Sequence, residues 1–287
     1  MMATFFGEVL SVYSRAVEDD EEDQANTNEE DEQIRKEIEE KREVNIEWGP
    51  EVTKAIEYTG SQTLQCSDFI LAVGHNAAGL LSAYVLNSAS WDAVGHVSLW
   101  NERSRGSCRH SSAPLPGEPA CVFYRHRDNS SVLICQSTCY IAEDQLFQWT
   151  EKVFSCLEPR GLSVMVLSDT PVAEFKTPDY LYGSPVPFLR SLKTSTYKSQ
   201  ALCPALEQPN IVTGLPAAVL NHCQVHQIPT VMYQCYSDVI SPDSVTMETY
   251  KPALSSLSKL VKLNSCPSKD VLRKIAKASE TQSNLYT

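Results

Sequence analysis

Phe69-Ile70-Leu71-Ala72-Val73-Gly74-His75-Asn76-Ala77-Ala78-Gly79-Leu80-Leu81-Ser82-Ala83-Tyr84-Val85 decides the fold class. Its first five residues form an uninterrupted apolar run of strand length, the pattern of a strand covered on both faces. Gly74 and His75 break the run, and Asn76 stands where a helix cap is expected. Ala77, Leu80, Leu81, Tyr84 and Val85 then recur at helical spacing. Strand, tight turn and helix make the opening unit of an α/β sheet. Gly74 and Gly79 are spaced as in a phosphate-binding loop, but Leu80 and Leu81 occupy the places of the lysine and the hydroxyl. With no side chain to hold phosphate or magnesium, the nucleotide reading fails.

Downstream the pattern repeats. His96 to Trp100, Cys121 to Arg125 and Ser131 to Cys135 read as short strands, the first two separated by a Ser, Pro and Gly loop from Ser104 to Pro119. Leu146, Trp149, Val153, Phe154 and Leu157 mark one helix face, ended by Pro159 and Gly161, and Leu162 to Leu167 is the next buried strand. Strand, helix and strand in that order predict a right-handed crossover and parallel neighbours. Thr170 to Pro187, rich in Pro, Gly, Ser and Tyr, leads to an expected short helix from Phe188 to Lys193. Gly214 and Leu215-Pro216 open a helix through His226, and Thr230 to Tyr236 is a late strand. Met247, Tyr250, Leu254, Leu257 and Val261 keep helical spacing across Pro252, which predicts a kinked helix or two abutting ones. Ser268 caps a last helix, with Leu272 and Ile275 inward and Lys269 and Arg273 outward.

Charge is unevenly placed along the 287 residues. Glu18 to Glu43 holds fourteen acidic and four basic residues, so it carries −10 of the formal −12 and the remainder only −2. Residues 1–60 are accordingly expected to be an acidic, mostly disordered arm, with at most a transient helix from Gln33 to Val44 and order beginning near Cys66. The nearly neutral remainder has no basic face fit for a phosphate backbone, so nucleic acid is an unsuitable partner. Residues 61–278 are expected to form one three-layer α/β domain on a mostly parallel sheet, and residues 279–287 a polar tether and tail.

Ten cysteines occur without a Cys-x-x-Cys pair, which disfavours zinc knuckles and thioredoxin-type sites; Cys135 and Cys139 read as buried thiols. Met1 to Val17 has no charged start and no sustained apolar run, and no stretch suits a bilayer span. A reducing, cytoplasmic setting is expected, with association to the endoplasmic reticulum or nucleus left open; the Asn129-Ser130-Ser131 glycosylation match is then accidental.

Catalytic motifs are missing. There is no Gly-x-Ser-x-Gly elbow, no His-Glu-x-x-His, no dinucleotide glycine pattern and, within the expected folded part, no acidic cluster suited to a metal. His110, His126, His222 and His226 look scattered. An enzyme assembled from distant residues would draw on His75 with Asp169 or Asp238 at strand exits, as a small-molecule hydrolase or phosphorylase. The expectation is no catalytic residue, no cofactor and no metal. Leu285-Tyr286-Thr287, an apolar residue and a tyrosine before a carboxylate, reads either as a frayed domain end or as a compact plug for an apolar slot with a cation behind it.

The sequence resembles the proteasome assembly chaperones. The resemblance is carried by Ala3-Thr4-Phe5-Phe6-Gly7-Glu8-Val9, Leu99-Trp100-Asn101-Glu102, Cys139-Tyr140-Ile141-Ala142-Glu143-Asp144-Gln145 and Leu206-Glu207-Gln208-Pro209-Asn210-Ile211-Val212. Leu215-Pro216-Ala217-Ala218-Val219-Leu220 and Gln282-Ser283-Asn284-Leu285-Tyr286-Thr287 complete it, so that it runs almost end to end. The acidic arm and Ser104 to Pro119 depart from the family pattern. The resemblance implies a nucleoside phosphorylase-like α/β fold without an active site. It also implies a heterodimer with proteasome assembly chaperone 2, seated on the ring of proteasome α-type subunits during 20S assembly, promoting ring formation and blocking ring dimers. The family's hydrophobic-Tyr-X tail enters a pocket between α subunits, where a lysine meets the terminal carboxylate. On this chain that motif falls on Leu285, Tyr286 and Thr287.

Overall fold

A computed structural model describes residues 29–59, 63–86, 90–99, 121–139, 141–177, 186–238, 243–257, 269–270 and 272–273. The chain divides into two units, Met1–Glu43 and Val44–Thr287. In the first lies α1, Glu29–Lys41, an acidic helix with Ile34 exposed. The expected arm thus contains a helix of three turns, which starts four residues before the one read from Gln33 and ends three before Val44.

The second unit is built on eight strands: β1 Asn45–Trp48, β2 Asp68–Val73, β3 Trp91–Ser98, β4 Cys121–His126, β5 Val132–Ser137, β6 Ser163–Pro171, β7 Phe188–Lys193 and β8 Thr230–Ser237. Their order in the sheet is β1-β3-β4-β5-β2-β6-β8-β7. The interior four, β5-β2-β6-β8, run parallel. The outer pairings β1 with β3, β3 with β4, β4 with β5, and β7 with β8 are antiparallel. The sheet is therefore mixed, which corrects the expectation of a mostly parallel one. The connection from His126 to Val132 is a short turn, and a short turn can only return a strand beside its predecessor in the opposite sense.

Helices cover both faces. On one lie α4 Glu143–Ser155 and α5 Gly214–Val225, where Trp149, Val153, Leu215 and Val219 pack on Phe69, Leu71, Leu133 and Val166. On the other lie α3 His75–Tyr84, α6 Ser244–Thr249 and α7 Lys251–Leu257, where Leu80, Leu81, Met247 and Tyr250 pack on Ile70, Ile134, Leu167 and Tyr233. The alternating residues of β2 divide between these two clusters, as the two-residue period of a strand requires. Three layers follow, as expected.

Order begins earlier than the sequence suggests. Val44 is fully buried, β1 pairs at the sheet edge, and α2, Pro50–Thr59, buries Val52. Phe188 to Lys193 is a strand, not a helix: Leu189 and Ser191 are buried while their neighbours are less so, and the backbone pairs with β8 over Phe188 to Lys193. The helix opening after β2 starts at His75 with Gly74 in the capping place, so Asn76 lies inside the first turn rather than before it. β3 starts at Trp91, five residues before the expected His96. Two abutting helices form, divided at Tyr250, and Pro252 stands in the first turn of α7, where a missing N–H is tolerated. Lys269, Asp270, Leu272 and Arg273 are helical and Leu272 packs on the second cluster; Val261, Ser268 and Ile275 lie outside the described residues.

Candidate functional site

The tail residues Leu285, Tyr286 and Thr287, and the tether before them, lie outside the described residues. Two sites within them are open to chemical scrutiny. The first is the crevice at the carboxyl ends of the parallel strands. The chain leaves β2 for α3 on one face and leaves β5 for α4 on the other, so the two connections part above adjacent strands. Ligands of α/β sheets settle at such a place.

The crevice has a volume of about 320 Å³ and is lined by Gly74, His75, Cys139, Asp169, Glu174 and Gln234 among others. Its polar groups are engaged with one another. The Ala77 N–H donates to Asp169 Oδ1 at 3.3 Å, which places a half-buried carboxylate against the first turn of α3. Ser168 Oγ donates to Gln234 Oε1 at 2.5 Å, Gln234 Nε2 donates to Thr170 Oγ1 at 2.6 Å, and the Tyr250 hydroxyl donates to the Ser168 carbonyl at 2.6 Å. The Asp243 N–H donates to Asn76 Oδ1 at 3.0 Å, and the Asp243 carboxylate caps α6 through the Val245 and Thr246 N–H groups. Burial holds the His75 imidazole below its ordinary pKa. Asp238, the other acid considered for catalysis, is exposed.

Asp169 carries a pH signature. Burial pushes its carboxyl up from 3.8 to about 6, against the pull of hydrogen bonds from Ala77 and Asn76. The folded state then holds the proton more tightly than the unfolded chain. Stability from this group is complete below about pH 4 and falls as pH rises to about 6. Asp169→Asn, which cannot ionise, is expected to flatten that downward slope. Chemical denaturation across the window checks it, and an unchanged slope would show that another group sets the dependence.

The second site lies on α4 and α5, the two helices that cover one face of the sheet. His222 and His226, one helical turn apart at the end of α5, stack with ring centroids 4.2 Å apart. Phe154 stacks on the other side of His222 at 4.6 Å, and Glu151 Oε1 lies 3.1 Å from His222 Nδ1. These histidines are not scattered, as the sequence suggested. The spacing His222-x-x-x-His226 was the available signal; Glu151, from a different helix, had none. His126 has a local role instead, accepting the Asp128 and Asn129 N–H groups at Nδ1, both at 3.2 Å. His110 lies outside the described residues.

The thiols agree with the sequence reading where they are described. Cys66, Cys121, Cys135, Cys139, Cys156, Cys203, Cys223 and Cys235 are thiols outside any disulfide, and Cys135 and Cys139 are buried. Among the described residues, no helix is long and apolar enough to cross a membrane.

Comparison with known proteins gives the family. A family profile described as proteasome assembly chaperone 4 matches residues 2–287. Proteasome assembly chaperone 1 of Danio rerio is 58% identical over 289 residues, covering 100% of both chains. The chain belongs to the proteasome assembly chaperone 1 family. The Homo sapiens member is 44% identical over 293 residues, again covering 100% of both chains. A chaperone family, not an enzyme family, is thereby assigned.

Among solved structures, the fold resembles that of Pyrococcus furiosus PbaA, described as an archaeal homologue of proteasome-assembly chaperone. The TM-score is 0.54 at 12% identity, covering 84% of this chain and 96% of that one. A Thermoplasma acidophilum protein of unknown function aligns with a TM-score of 0.56 at 12% identity, covering 82% and 93%. At such identities these likenesses concern the fold alone.

Proposed function

We propose that the chain is a chaperone of 20S proteasome assembly. It pairs with proteasome assembly chaperone 2 and rests on the ring of α-type subunits, promoting ring formation and preventing ring dimers. Residues 279–287 carry the docking key, in which Leu285 and Tyr286 fill a pocket between α subunits and Thr287 supplies the carboxylate. The observation that carries this reading is end-to-end identity of 58% with a relative of that name, with no part of either chain left over. The setting is cytoplasmic.

Physical chemistry supports a tail of this kind. A tripeptide buries little surface, and alone should bind with roughly millimolar to micromolar affinity. Two tails on one heterodimer raise the effective concentration of the second, so a weak contact suffices and release stays easy. Purified heterodimer carrying Tyr286→Ala is expected to capture α subunits at least roughly 30-fold more weakly, the loss typical of an aromatic anchor worth about 2 kcal/mol. Pairing with the partner should be unchanged. Pull-down at matched concentrations decides it, and undiminished capture would overturn the tail mechanism.

A further inference from the structure

We infer that Glu151, His222 and His226 form a binding site for a divalent transition metal of the zinc and cobalt class, clamping α4 to α5. Each residue offers one ligand atom, and these atoms lie within 4.8 Å of one another. Among the described residues it is the one set of three such side chains with this convergence. Two imidazoles and one carboxylate suit zinc, cobalt, nickel or copper, and poorly suit magnesium or calcium, which take mainly oxygen.

The spacing is close to what one ion needs. With metal bonds of about 2.0–2.1 Å, ligands at two corners of a tetrahedron stand roughly 3.3 Å apart. Glu151 Oε1 and His222 Nδ1 are already 3.1 Å apart. His226 is exposed, so a change of its side-chain torsions closes the remaining gap without disturbing the core. The His222 ring stacks on Phe154, a contact that remains when His226 turns toward the ion.

The backbone favours a cation here as well. His226 caps the carboxyl end of α5, its N–H donating to the His222 carbonyl at 2.9 Å. The last carbonyls of a helix carry partial negative charge. On binding, the metal takes the place of the proton that His222 Nδ1 shares with Glu151; that proton leaves to solvent while Nε2 takes one up, so the ring stays a neutral imidazole. A fourth position is filled by water.

The test is titration of full-length, untagged protein with Co²⁺ under a non-chelating reductant, followed by visible absorption. The expected result is one equivalent bound, with ligand-field bands of a nitrogen and oxygen site, no sulfur-to-cobalt charge transfer, and displacement by Zn²⁺ but not Mg²⁺. His226→Ala and Glu151→Gln should each weaken binding by more than about tenfold, the scale set by loss of even an outer partner of a metal ligand. Both side chains reach solvent, so folding is expected to survive; denaturation without metal verifies it. Zn²⁺ should raise the denaturation midpoint of the parent and not that of His226→Ala. No binding at micromolar metal, a thiolate spectrum, or binding undiminished in His226→Ala would each overturn the proposal.

Discussion

Tyr250→Ala is expected to destabilise the fold by about 3–5 kcal/mol, the range for deleting a large buried aromatic side chain. Tyr250 lies between α6 and α7, is fully buried, and packs in the cluster that contains Ile70, Leu167 and Tyr233. Its hydroxyl donates to the Ser168 carbonyl at 2.6 Å, joining the junction of α6 and α7 to β6. Alanine would leave a cavity the size of the ring and remove the donor from a buried carbonyl. Tyr250→Phe separates the two effects: it keeps the ring and should cost only about 1–3 kcal/mol, the penalty of an unpaired buried acceptor. Denaturant midpoints at constant slope measure both. Equal losses in the two variants would mean that the hydrogen bond, and not the packing, dominates.

Gly74→Ala is the second large effect, at about 2–5 kcal/mol. Gly74 has φ 96° and ψ 169°, a region that side chains with a Cβ scarcely enter, at a cost of about 1–3 kcal/mol. Space adds to the strain. A Cβ there would stand 2.4 Å from Asp169 Oδ1 and 2.8 Å from Asp169 Cγ. The carboxylate would have to withdraw from the Ala77 N–H, leaving a half-buried acid and a helix donor without each other. Gly161→Ala is the control. Its φ is 76° but nothing lies within 4 Å of the added atom, so only the conformational cost of about 1–2 kcal/mol remains. Comparable losses at both glycines would contradict the role given to Asp169. Either core variant lowers the folded fraction, so α-subunit capture has to be compared at equal folded concentration.

Much of the fold was legible before any coordinates. Phe69 to Val73 carries its own burial code, and Gly74 stops it because the chain needs a positive φ there. The face of α4 was readable from Trp149, Val153 and Phe154, since helical period shows which side meets the sheet. Phe188 to Lys193 misled because six residues span less than two helical turns, too few to separate a period of 2 from 3.6. Its strand character comes from β8, some forty residues later. Asn45 to Trp48 was missed for the same reason: half exposed at an edge, it has little apolar signal of its own and is recruited by β3.

The two sites show the same division. The proposal for Leu285, Tyr286 and Thr287, which lie outside the described residues, rests on family likeness added to residue type. What Asp169 does was not readable, because its partner Ala77 is 92 residues away. Nor was the meeting of Glu151 with His222 and His226, which depends on α4 and α5 lying side by side.

By itself, then, the order of residues determined what is local: which runs are buried, where the chain turns, which catalytic motifs are missing, and to which family the chain is similar. Only the tertiary structure decided which strands pair and in which sense, which acid packs against a helix, and which histidines share a carboxylate. The physical reason is that burial and turning propensity reside in neighbouring residues, whereas pairing, desolvation and ligand convergence are properties of groups brought together from distant parts of the chain.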